Sequence, residues 1–247
     1  MKNKLFKYLF AGAGVLLFLA VWEISALIIN FDIMLPTVGA TLLKLAELFT
    51  RPDFYTTVLA SIGRITLGLA MGIVLGVLLA LLTNYVPFAK ETLSPLITVV
   101  RATPVASFIM VLWFIIGSDF VPTVIAVLMV APVIWQNLES GFSSVAKDLN
   151  EVCLIYGIKG RKKLKLLILP TLKKYLIPSI ITSTGLAWKS GIAAEIISYT
   201  HNSIGKKIYD AKSMFESGEM FAWTIIVVIS SLVIEALLKL YLKRGDK

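Results

Sequence analysis

Four ionisable side chains stand inside otherwise apolar stretches: Arg64, Arg101, Lys189 and Glu195. A charge in apolar surroundings is costly, so each needs a partner, a water-filled cavity or a passing ligand. The chemistry they point to is ion pairing and ligand passage rather than bond making. Arg64 lies near one end of its apolar run, where its stem can lie along apolar surface while the head reaches the interface. Arg101 sits beside Pro104, where a helix is expected to break, and either lines a path or pairs internally with a carbonyl or carboxylate. Lys189 follows Trp188 in mid-run, and Glu195 comes six positions later. At 100° per residue the two lie about 120° apart on one helix, so they do not pair with each other there. Trp113, Trp135, Trp188 and Trp223 read as membrane-interface or packing residues.

No constellation for catalysis stands beside these charges. There is no G-x-x-x-x-G-K-[ST] phosphate loop; GIKGRKK and SIGKK lack its spacing and its hydroxyl. A nucleophile elbow and a zinc-binding histidine pair are also missing. The one histidine, His201, falls in a polar loop, and the one cysteine, Cys153, excludes an intrachain disulfide. The expectation is a chain with no catalytic residue, no metal and no cofactor of its own.

The elements that must position the charges follow from composition. The 247 residues are 57% hydrophobic and 16% charged, with a mean hydropathy of +0.86. A soluble domain carries about 25% charged residues. The apolar runs far exceed the ~10 residues of a barrel strand and show no period of two. The chain therefore reads as an all-α polytopic membrane protein, a single domain over 1–247. Spans are expected at Leu9–Asn30, Thr57–Thr83, Leu93–Ile116, Phe120–Leu138, Leu176–Tyr199 and Met220–Tyr241, about six in all. The N-terminal MKNKLFKYLF resembles a secretory n-region. The run behind it is about 20 residues, long enough to span, and lacks a convincing cleavage site, so it reads as an uncleaved first helix. Val38–Phe49 reads as a short surface helix, and Thr200–Glu219 as a polar loop. Gly68, Gly72 and Gly76, continued by Ala80, form a ladder of small residues suited to close helix packing.

The net charge of +9 is distributed by membrane side, which argues against nucleic acid. Lys2, Lys4, Lys7, Lys243, Arg244 and Lys247 flank the first and last spans. The densest basic run, Lys159 to Lys165, falls on the same side. The positive-inside rule places both termini and this run in the cytoplasm.

That run belongs to the longest polar interval, 145–170, VAKDLNEVCLIYGIKGRKKLKLLILP. Asp148 can cap a helix, with Glu151 completing a capping box. Leu149, Val152, Cys153 and Tyr156 recur at i, i+3, i+4, i+7, giving one apolar face. Gly157 is placed for a left-handed cap, and Leu169-Pro170 reopen a helix. An amphipathic helix between two spans needs a partner for its apolar face.

The order Glu151-Val152-Cys153, three residues, Gly157, nine residues, Leu167-Ile168-Leu169-Pro170 resembles the EAA loop, E-A-A-x3-G-x9-I-x-L-P, of bacterial ATP-binding-cassette importer permeases. Val152 and Cys153 replace the two alanines, and Leu167 replaces isoleucine. LASIGRITLGLAMGIVLGVLLALL (Leu59 to Leu82), RATPVASFIMVLWFIIG (Arg101 to Gly117), GLAWKSGIAAEII (Gly185 to Ile197) and SIGKKIYDAKSMF (Ser203 to Phe215) are similar to the nitrate/sulfonate/taurine subgroup. The resemblance covers about 35–241. It implies a type I importer permease fold in the bacterial plasma membrane, with a short cytoplasmic coupling helix. Asp148, Leu149, Glu151, Val152, Cys153, Tyr156, Gly157, Leu169 and Pro170 would form the dock for an ATPase. The implied partners are two ATP-binding-cassette ATPase subunits carrying ATP and Mg, a second permease copy and an extracytoplasmic solute-binding protein. Arg101, Trp188, Lys189 and Glu195 become candidates for a translocation pathway. For Lys189, where relatives carry an apolar residue, the alternative is a structural pair with Glu195 of a second copy or with Glu235. The expected solute is small and anionic or polar, with a vitamin precursor or another uncharged or cationic small molecule as the alternative. A stand-alone transporter or channel would leave the loop unexplained.

Overall fold

The computed structural model describes residues 2–145, 151–153 and 155–244. Asp148 and Leu149, and with them the expected capping box, lie outside the described residues. The helices in chain order are α1 (Lys2–Ile29), α2 (Val38–Thr50), α3 (Pro52–Tyr85), α4 (Ala89–Ala102), α5 (Val105–Ile116) and α6 (Val121–Ser143). A short α7 (Gly160–Lys163) runs through a π-helical turn (Leu164–Ile168) into α8 (Leu169–Ile197), followed by α9 (Ile204–Ser213) and α10 (Ser217–Arg244).

Among the described residues, four helical segments are long and apolar enough to cross a membrane: Gly12–Ile29 of α1, all of α3, all of α6, and Ser217–Leu242 of α10. The pair α4 and α5, bent by 100°, makes a fifth path. Pro104 explains the bend. It lacks an N–H and pushes Thr103 into an extended conformation (φ −75°, ψ 132°), so α4 stops and α5 starts anew. The remaining expected span, Leu176–Tyr199, falls on α8 up to Ile197. The 29 residues of α8 include Lys173, Lys174, Lys189 and Glu195 and many hydroxyl residues, so that helix falls short on apolarity rather than on length. The ladder α3–α6–α8 explains this composition: α8 turns Ser179, Ser183, Ala187, Ser190 and Gly191 inward, and small residues let helices approach without a hydrophobic drive from lipid.

α6 is the centre. Of its apolar window 56% is buried, against 6% for α1. Ala126, Val130, Ile134 and Leu138 of α6 pack with Ile65 and Leu69 of α3, Ala187 and Ile192 of α8, and Trp223 of α10. The glycine ladder sets the α3–α6 distance. A methyl on Gly72 would stand 2.7 Å from Val130 Cβ, and one on Gly76 2.6 Å from Ile134 Cβ. The ladder is helix packing, as its spacing suggested. Pro132 leaves α6 unbroken.

One expected loop is ordered instead. Ser203 caps α9 by accepting from Lys206 N–H, and Ile204 and Ala211 bury its apolar side. The i, i+4, i+7 recurrence of Ile204, Ile208 and Ala211 carried that helix in the sequence, diluted by Lys206, Lys207 and Lys212. The bundle thus has two ends. The basic end holds the turn after α3, the end of α6, and α7. The far end holds α2, α9 and the turns between α5 and α6 and between α8 and α9.

Candidate coupling loop and translocation pathway

At the basic end, Glu151, Val152, Cys153 and Ile155 are helical and Gly157 has φ +62°. Tyr156 N–H donates to Val152 O at 3.0 Å, and Ile158 N–H donates to Cys153 O at 2.7 Å. The second bond, spanning five residues, is the long bond of a Schellman motif, which needs a left-handed residue at the position of Gly157. The expected apolar stripe is split. Val152, Ile155 and Tyr156 are exposed, the last two at 80% and 77%, whereas Cys153 is buried within the chain. Cys153 lies about 100° from Val152 on the helix wheel, which turns it toward the bundle. Ile155, left out of the stripe in the sequence reading, lies on the open arc instead.

The sequence suggests that Pro170 restarts a helix. The helix in fact starts at Gly160 and runs on without a stop. Pro170 offers no N–H to the carbonyl four residues back, and its ring would press on that carbonyl. The π-helical turn immediately before it, closed by Leu169 N–H on Leu164 O, widens the backbone where the proline needs room. Leu167 is buried there and Leu169 half-exposed.

At the far end Glu195 is fully buried. Its carboxylate accepts from Ser61 Oγ at 2.9 Å, from Gly205 N–H at 3.1 Å and from Arg64 Nη1 at 3.4 Å. Gly205 lies in the first turn of α9, where N–H groups are unpaired and the helix dipole favours an anion. Only glycine fits: a methyl on Gly205 would lie 2.4 Å from Glu195 Cβ and 2.5 Å from Ile196 N. Arg64 reaches toward the turn at the far end, with its side chain 22% exposed. Its Nη2 donates to His201 O at 2.6 Å and Asn202 O at 3.3 Å, closing the turn after α8. Glu195 is thus committed to its own chain and is not offered to a second copy. Nearby, Arg51 bonds Glu47 at 2.7 Å and Glu219 at 2.8 Å, tying α2 to α10. The Arg51 guanidinium, aided by Lys44, holds the Glu47 carboxyl below the usual carboxylate range.

The other pathway candidates separate as sharply. Trp188 is 2% exposed and donates Nε1–H to Val227 O at 3.0 Å, so it packs α8 on α10. Lys189 is exposed and makes no salt bridge among the described residues. Glu235, its suggested partner, pairs with Lys239. Arg101 donates to Gln136 Oε1 at 2.5 Å and lines a cleft of about 590 Å³ between α4 and α6. Sequence reasoning passed over two members of that cleft, Lys90 and Glu139, which form an ion pair at 2.6 Å. The Gln136, Glu139, Ser140 spacing puts polar groups on one face of α6, and that was the available signal.

A comparison with known proteins gives this arrangement its setting. Residues 72–246 match the family model described as "Binding-protein-dependent transport system inner membrane component". An aliphatic sulfonates transport permease protein of Bacillus subtilis is 26% identical over 90% of this chain and 81% of its own length. The taurine transport system permease protein of Escherichia coli is 24% identical over 87% of this chain and 80% of its own. Among solved structures, an amino acid ABC transporter chain superposes with TM-score 0.64 at 17% identity, covering 81% of this chain and 97% of that one. At that identity the superposition speaks for the fold, that of an ABC importer permease. The chain belongs to the family of binding-protein-dependent transport system inner membrane components, non-enzymatic membrane subunits of importers.

Proposed function

We propose that this permease works as one of two copies, docked on two ATPase subunits that carry ATP and Mg, and receives a small anionic or polar solute from an extracytoplasmic binding protein. Both termini and the basic end face the cytoplasm in this reading. The excess of lysine and arginine there supports it, since positive loops are retained inside. The carrying observation is the loop at 151–158: a glycine-closed helical turn with Val152, Ile155 and Tyr156 exposed at the end of a membrane bundle. Exposed apolar side chains outside lipid call for a protein partner. Glu151, Gly157, Leu169 and Pro170 match the family loop residue by residue, and the loop's neighbours Asp148 and Leu149 belong to the same proposed dock. Relatives named for aliphatic sulfonates, taurine and nitrate support a small solute of this kind.

The test is co-purification with the partner ATPase from bacterial membranes. The double variant Ile155→Asp, Tyr156→Asp should lose the ATPase at least tenfold, because two carboxylates cannot enter an apolar socket. Tyr209→Asp at the far end should retain it. Equal retention by both variants would remove this loop from the interface.

A further inference from the structure

The cleft between α4 and α6 holds three charged side chains, and they do not balance. Glu139 is its only acid among the described residues. One carboxylate oxygen accepts from Thr83 Oγ1 at 2.6 Å, and the other meets Lys90 Nζ at 2.6 Å. Trp135 Nε1–H donates to the same Thr83 hydroxyl at 3.1 Å, fixing it. Glu139 and Lys90 therefore neutralise each other, and neither is available to Arg101. The single partner of Arg101 among the described residues is a neutral amide oxygen of Gln136. A guanidinium has five N–H donors in a planar fork. One is used here, and the others make no hydrogen bond among the described residues. Because Gln136 accepts through its oxygen, its NH2 group is also left to donate. Ser94 and Ser143 line the same space with hydroxyls that make no hydrogen bond among the described residues.

Position adds to this. Arg101 is twelve residues from the start of α4, about 18 Å along the helix, directly before the break at Thr103-Pro104. A cation at that depth, in a family of membrane subunits, ordinarily carries a counter-charge. The far end shows what the same chain does with an arginine of purely internal use: it supplies a buried carboxylate and two carbonyls. The cleft instead supplies donors and a net positive charge, which repels cations and is indifferent to uncharged solutes. A planar fork beside amide and hydroxyl donors suits an oxyanion.

Resting on the permease reading, we propose that the α4–α6 cleft is a binding station for a small oxyanion in transit, held by the Arg101 guanidinium and the Gln136 amide, with Lys90 and Glu139 as a self-neutralised pair beside it. The ligand class is sulfonate, nitrate or a like anion. A lipid headgroup phosphate shares that chemistry, and the test separates the two.

The permease is assembled with its ATPase and binding protein in phosphatidylcholine vesicles, and ATP-driven uptake of ethanesulfonate, nitrate and uncharged formylaminopyrimidine is followed. Wild type should take up at least one anion. Arg101→Gln should cut that uptake at least tenfold, and Arg101→Lys by no more than about threefold. Gln136→Glu, which keeps the arginine but places a carboxylate against it, should also cut uptake at least tenfold. Each variant is first checked for assembly with the ATPase by size-exclusion chromatography, and Gln136→Glu keeps the test decisive if Arg101→Gln fails to assemble. Anion uptake within twofold of wild type in Arg101→Gln and Gln136→Glu overturns the station, as does a loss that appears only in vesicles containing phosphatidylglycerol, which assigns the site to a headgroup. Wild-type uptake of the uncharged probe alone overturns the anion site and leaves the permease reading standing. ATP hydrolysis that moves none of the three probes overturns both.

Discussion

Two arginines of this chain meet the membrane in opposite ways. Arg64 at the far end, its side chain 22% exposed, is held by the buried Glu195 carboxylate and the carbonyls of His201 and Asn202. Arg101, within α4, opens on a cleft whose only carboxylate among the described residues is already taken. In sequence the two look alike: a cation in an apolar run. What separates them is the local inventory of acceptors, and that depends on which turns fold back over each site. A charge at membrane depth is therefore not by itself a sign of a pathway. Its unsatisfied donors are.

The largest expected effect tests that difference directly. Arg64→Met leaves the Glu195 carboxylate without its charge partner in a closed site. Breaking a buried pair costs about 3 kcal/mol, and the unfolding free energy in detergent should fall by about that much. Arg101→Met in the same measurement should cost under about 1 kcal/mol, as for a side chain outside the core. Equal losses would erase the distinction between closed and open sites.

A second contrast concerns α3, which connects the two regions: Ser61 and Arg64 lie at one end and Thr83 at the other. Gly76→Leu forces a side chain against Ile134 Cβ and the Ala131 carbonyl. Overpacking of this kind costs about 1–3 kcal/mol, and the melting temperature in detergent should drop accordingly. Thr98→Leu, at the open cleft wall, should change it little. The smallest effect belongs to Lys90→Met. The Lys90 side chain is 54% exposed, and exposed pairs contribute about 0–1 kcal/mol. Glu139 also keeps its bond from Thr83. A loss beyond about 1 kcal/mol in the same unfolding assay would show that the cleft is braced by this pair rather than merely lined by it.

Much of this was legible in the residues. Four spans and the bent α4–α5 pair followed from long apolar runs, the close packing of one face of α3 from glycines four apart, the break before α5 from Pro104 and the left-handed turn from Gly157. Those are local signals, set by sterics within a few residues. What escaped was non-local. Ser61, Glu195 and Gly205 meet although they are far apart in the chain, and the Lys90–Glu139 pair joins two helices. The inward turn of Cys153 was hidden because apolar spacing defines an arc but not which edge of it touches the bundle. α9 was masked by lysines that lie on its open face.

The central claim is that the glycine-closed turn at the basic end carries motion between ATP hydrolysis and solute passage. Gly157 holds φ +62° with open space around its Cα, so Gly157→Val adds no clash and acts only through the strain of a β-branched residue in the left-handed region. The decisive measurement is the ratio of solute taken up to ATP hydrolysed by the reconstituted importer carrying this variant. The account predicts continued hydrolysis with that ratio reduced at least tenfold. A Gly157→Val importer with the wild-type ratio would contradict it.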